Sequence, residues 1–124
     1  MQLSINARET QEVVILELSG RVVAGEEVDS VRRMIHDLVD HNHKKVSLNL
    51  DQVARIDSTG IGMLVEAVIY TVKQGAQLNL YKVPRLVRNI LTTHRLLQAF
   101  EIYGSEEEAL AAFAKPAPAP GIQA

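Results

Sequence analysis

Leu50-Asp51-Gln52-Val53-Ala54-Arg55-Ile56-Asp57-Ser58-Thr59-Gly60-Ile61-Gly62 carries the chain out of one kind of regular structure and into another. Just upstream, Val46, Leu48 and Leu50 alternate with Ser47 and Asn49, the period of a strand. Downstream, Ile61, Leu64, Val65, Val68 and Val72 recur at helical spacing from about Thr59 to Gln74, and Gly75 suits the stop. A strand that feeds an amphipathic helix is the building unit of α/β proteins. Asp57 or Ser58 falls at the helix N-cap, where a side-chain oxygen accepts from the free amides of the first turn. Gly60 and Gly62 leave that turn bare of bulk, so a partner's backbone or a phosphate is expected to approach closely.

The same alternation of periods continues on both sides. Leu3, Ile5 and Ala7 alternate with polar residues, Glu9 to Glu12 form a polar break, and Val13-Val14-Ile15-Leu16 with Leu18 follows as a β-favouring run. These predict a hairpin whose second strand is the more buried. Ser19-Gly20 predicts a bend, with Arg21-Val22-Val23 as a short extra strand. From Glu26 to about Asp40, Val28, Val31, Ile35, Leu38 and Val39 form one apolar stripe. Glu26 and Glu27 sit in its first turn, where the helix dipole favours anions, and His41-Asn42-His43 closes it.

Beyond Gly75, Gln77 to Tyr81 reads as a strand. Pro84 opens a helix with Leu86, Val87, Ile90 and Leu91 on its apolar face. Phe100 to Tyr103 reads as a short edge strand, and Ser105 with Glu108 is a capping box for a last helix. The order predicts an α/β fold with a parallel portion and helices packed on the sheet. Residues 1–113 are expected to form the domain; residues 114–124, rich in Pro and Ala, cannot pack a core and read as a flexible tail.

The 124 residues leave room for one domain that buries roughly two thirds of its unfolded surface. With two Phe, three Tyr and no Trp, its core must rest on Val, Leu and Ile. A net charge of −2 gives no electrostatic case for nucleic acid or anionic membrane. The absence of cysteine excludes disulfides, thiolate metal sites and cysteine nucleophiles. No apolar run approaches the ~20 residues of a membrane helix, and Asn6, Arg8 and Glu9 interrupt any signal-like stretch. The expected location is the cytoplasm of a bacterium-like cell, without membrane insertion.

The residues alone leave two readings of Ser58 open. One is an ordinary Ser/Asp cap with small neighbours. The other is a phosphate acceptor, because about −1.5 to −2 charge beside the positive helix end is tolerated without unfolding. Catalysis fits less well. Ser58 lacks the Gly-x-Ser-x-Gly frame of a hydrolase elbow, Val65 stands where a dinucleotide fingerprint needs its third Gly, and no P-loop occurs. An acidic pair for a phospho-accepting aspartate is missing after Leu18. His41 and His43 have no evident third metal ligand and read as exposed residues at a helix end; His36 and His94 read as surface or part-buried positions. Arg85, Arg88 and Arg95 are expected on an exposed helix surface. No cofactor, metal or catalytic residue is expected.

Leu18-Ser19-Gly20, Val46 to Leu50, Ile56 to Gly62, Leu78-Asn79-Leu80, Val83-Pro84-Arg85 with Val87, and Phe100-Ile102-Tyr103 together resemble the STAS domain of the anti-sigma factor antagonist family over residues 3–113. The resemblance implies a mixed sheet of about four to five strands with about four helices packed on it. It implies binding to an anti-sigma factor that is itself a serine kinase, with Ser58 as the phosphorylated residue and Thr59 as the second choice. Asp57, Ser58, Thr59, Gly60, Ile61 and Gly62 would form the partner-binding stretch, and a phosphatase would restore binding. One departure stands out: Gly20-Arg21-Val22-Val23 replaces a Gly-Glu-Leu-Asp-like run, with Val23 at the place of an aspartate. STAS members outside sigma-factor control suggest an alternative, a constitutive subunit of a stressosome-like or transporter-associated assembly. A nucleotide-binding or hydrolytic enzyme is a third reading.

Overall fold

In the computed structural model, which describes residues 2–114, the hairpin opens the fold as expected. Strand β1 (Ser4–Thr10) pairs antiparallel with β2 (Val13–Val22). The two-residue loop between them, Gln11-Glu12, has positive φ at both positions, as the twist of a tight hairpin demands. Helix α1 (Glu26–Asp40) then leads to β3 (Lys45–Ile56), α2 (Ser58–Lys73), β4 (Gln77–Tyr81) and α3 (Arg85–Thr93). A short 3-10 turn (Leu97–Ala99), β5 (Ile102–Tyr103) and α4 (Glu106–Phe113) complete the described chain. The sheet order is β1-β2-β3-β4-β5, parallel from β2 to β5. This is the expected mixed, α/β architecture. The Pro/Ala-rich segment read as a flexible tail lies, beyond Ala114, outside the described residues.

Two sequence expectations are corrected. Ser19-Gly20 does not end the strand: β2 runs through to Val22, and its register against β3 shifts on either side of Gly20. Gly20 has φ +104, and a Cβ there would meet the Gln2 carbonyl oxygen. Glycine permits the irregularity that lets one strand continue instead of breaking. Leu86, placed on the apolar face of α3, is 48% exposed, whereas Val87 and Leu91 are buried.

The main core joins Leu16, Leu18, Leu48 and Leu80 of the sheet to Val31 and Ile35 of α1, Leu64 of α2 and Val87 and Leu91 of α3. Helices α1, α2 and α3 therefore share one face of the sheet, as successive parallel crossovers of one hand require. Each fully buried Leu or Ile contributes about 1.5–3 kcal/mol over an exposed one. The opposite face has a smaller cluster, in which Ala109 and Phe113 of α4 cover Val13, Ile15 and Tyr81.

Polar contacts hold α4 to that face. Buried Ser47 donates to Asn79 Oδ1 at 2.6 Å, and Asn79 Nδ2 donates to the Ala109 carbonyl at 3.1 Å. Arg8 pairs with Glu106 and, at 3.4 Å, with Glu17. The hydrogen bond from Arg8 keeps the Glu106 carboxyl below its usual range, and burial beside Glu106 pushes the Tyr81 phenol up to about 12. On the helical side, His36 stacks on Tyr70 with 3.8 Å between ring centres and meets the Glu66 carboxylate at 3.0 Å. His41 Nδ1 lies 2.7 Å from the Asp37 carbonyl oxygen, at the end of α1.

Candidate functional site

At the end of β3 the backbone of Asp57 is extended (φ −109, ψ −177) and caps α2. Asp57 Oδ1 accepts the Gly60 N–H at 2.9 Å, while Oδ2 accepts the Ala24 N–H at 2.9 Å. Of the two capping candidates, Asp57 takes the role, and Ser58 becomes the first helical residue. The Ala24 and Gly60 amides hold the Asp57 carboxyl below its usual range, because each hydrogen bond favours the charged form.

Ser58 and Thr59 are exposed on the first turn. Among the described residues no side chain is hydrogen-bonded to the Ser58 hydroxyl.

The two glycines of the turn differ. Gly62 is exposed, and a Cβ there would have open space around it. Gly60 is buried, and a Cβ would meet the Val22 carbonyl oxygen and lie 2.7 Å from Ile56 Cγ1. The expectation that both glycines bare the helix start therefore holds at Gly62 alone. Gly60 instead lets α2 seat tightly on the ends of β2 and β3. Ile61 is also buried, at 5% exposure, so Gly60 and Ile61 support the surface from beneath.

A groove of about 410 Å³ opens beside Ser58. Ile56, Ile61 and Gly62 line one side, and Ile90, His94 and Leu96 of α3 and the segment after it line the other. Sequence reasoning missed this wall. His94 read as a surface or part-buried position, because no motif ties it to a serine 36 positions earlier. Ala24 was missed too, since its contribution is a backbone amide and leaves no side-chain signature. Arg85, Arg88 and Arg95 are exposed, as expected. Among the described residues no three His, Asp or Glu side chains gather at metal-binding distance.

A family model described as the STAS domain matches residues 4–109. No curated protein sequence matches the chain. Among solved structures, a candidate anti-sigma factor antagonist from Thermotoga maritima superposes with a TM-score of 0.82 at 21% identity, covering 90% of this chain and 95% of that one. The anti-sigma factor antagonist SpoIIAA superposes in its unphosphorylated form with a TM-score of 0.69 at 15% identity (91% and 97% covered). Described as a Bacillus cell fate determinant, its phosphorylated form gives 0.68 at 18% identity (87% and 97% covered). A sulfate transporter family protein from Wolinella succinogenes gives 0.65 at 22% identity, covering 82% of this chain and 84% of that one. At these identities the likeness establishes a shared fold.

Proposed function

The chain belongs to the STAS domain family, and on that footing we propose that it is an anti-sigma factor antagonist switched by phosphorylation of Ser58. The carrying observation is the exposed Ser58 on a helix start whose cap, Asp57, is already braced through both carboxylate oxygens. A phosphate added there meets the positive end of α2 and leaves the capping bonds in place. SpoIIAA, with the same fold, has been solved in phosphorylated and unphosphorylated forms, which supports a switch that works by surface charge without refolding.

In this reading the unphosphorylated face, Ser58, Thr59 and Gly62 beside the groove, sequesters a serine-kinase anti-sigma factor in the cytoplasm. The kinase phosphorylates Ser58, charge and bulk end the complex, and a phosphatase restores it. Ser58 is a substrate and the chain performs no chemistry of its own. The test is incubation with ATP and each kinase-like anti-sigma factor encoded in the source genome, followed by intact mass and site mapping. One phosphate on Ser58, absent from Ser58→Ala, is the expected result. No phosphate on Ser58 or Thr59 with any of them would contradict it.

The likeness to the transporter family protein favours a second reading, a constitutive subunit of a larger assembly. It calls for a stoichiometric complex that ATP does not dissociate.

A further inference from the structure

Arg21 and Arg55 stand opposite each other in the parallel pairing of β2 and β3, and both are exposed. Like charges placed directly across a strand pair oppose the pairing. A carboxylate between them would relieve this. Among the described residues neither guanidinium has one within ion-pair distance. Asp57, only two positions after Arg55, has both oxygens engaged by the Ala24 and Gly60 amides.

Val22 and Ile56, the next residues in each strand, are buried. Strand alternation therefore sets Arg21 and Arg55 on the other face of the sheet, the face whose earlier positions Val13 and Ile15 lie under α4. They occupy the strand ends that lead into the Ala24 loop and into Ser58. Two exposed arginines paired across adjacent strands at such a rim suit a carboxylate, which guanidinium forks bind through parallel hydrogen bonds.

We propose that Arg21 and Arg55 receive an acidic side chain of the protein partner that docks at the Ser58 end of the molecule. The inference rests on the reading of Ser58 as the centre of that docking end. The free chain bears the repulsion and the partner's carboxylate removes it, so the pair selects a partner with an acidic contact. It also adds a reason for the switch: a phosphate on Ser58 repels the same carboxylate.

Two measurements test this, stability and binding. Arg21→Glu sets a carboxylate opposite Arg55, so the urea midpoint should rise above wild type, while affinity for the partner that phosphorylates Ser58 should fall at least about tenfold. Arg21→Glu/Arg55→Glu restores like charges, should lose the gain in midpoint, and should bind more weakly still. A lower midpoint for Arg21→Glu, or wild-type binding by the double variant, overturns the inference. Wild-type retention on duplex DNA that both variants lose would assign the pair to nucleic acid phosphates and also overturn it. If the double variant is bound and phosphorylated on Ser58 like wild type, the inference fails and the proposed function stands. If no candidate kinase binds or phosphorylates the wild-type chain, the proposed function fails and the inference with it.

Discussion

Asp57 holds Ala24: its Oδ2 accepts the Ala24 amide proton at 2.9 Å while Oδ1 caps α2 through Gly60. One side chain thereby ties the loop after β2 to the helix that carries Ser58. The Asp57 amide adds a longer bond to the Val22 carbonyl, 3.4 Å, on the same seam. The presentation of Ser58 thus depends on two segments 33 residues apart in sequence.

Removing that tie should be measurable. Asp57→Ala is expected to lower unfolding free energy by about 1–2 kcal/mol, the usual range for a lost cap, and to speed hydrogen exchange at the Ala24 amide. Asp57→Asn retains one carbonyl acceptor and should fall between. Urea denaturation with amide exchange checks both; exchange at Ala24 unchanged in Asp57→Ala would dissociate the loop from the cap.

The same carboxylate predicts an acid dependence. Its folded pKa lies below the ordinary 3.8, so the unfolded chain takes up the proton first. The stabilisation is full above the unfolded value and is lost as pH falls through 3.8 and on through the lower folded value. Glu106, held down by Arg8 from an ordinary 4.5, acts in the same direction. Stability measured from pH 6 to pH 2.5 should decline more steeply for wild type than for Asp57→Asn. Parallel curves would show that Asp57 is not a source of the decline.

The two glycines of the first turn should respond oppositely to a methyl group. Gly60→Ala forces its Cβ into the Val22 carbonyl oxygen and Ile56 and is expected to destabilise by about 1–3 kcal/mol. Gly62→Ala meets open space and should stabilise by up to about 1 kcal/mol through helix propensity. Thermal melts of the two variants decide it, and equal effects would contradict the assigned orientations.

Asn79 joins β3, β4 and α4 through buried bonds. Asn79→Ala strands the Ser47 hydroxyl and is expected to cost about 1–3 kcal/mol, while Ser47→Ala/Asn79→Leu, which removes both partners, should be closer to neutral. Urea unfolding of the two variants gives the comparison. A double variant no better than the single would place the loss in packing.

Much of this architecture was legible. Period-2 and period-3.6 patterns located the main strands and helices, and the strand-to-helix step at Ile56-Asp57 placed the site. What stayed hidden is tertiary. The chemistry of Gly60 is the same in sequence as that of Gly62; only the nearness of Val22 and Ile56 makes one a packing residue. The continuation of β2 past Gly20 depends on pairing with β3, which local pattern cannot report. The Ile90, His94 and Leu96 wall reaches Ser58 only because α3 shares a face of the sheet with α2.

The central claim is that the charge on Ser58 decides whether the partner stays bound. Titration calorimetry of the kinase-like partner against wild type, Ser58→Ala, Ser58→Asp and a chain carrying phosphoserine at position 58 measures this directly. Wild type and Ser58→Ala should bind alike, Ser58→Asp more weakly, and the phosphorylated chain at least about a hundredfold more weakly, as expected when a desolvated contact acquires a repelling charge. A phosphorylated chain that binds as tightly as wild type would contradict the account.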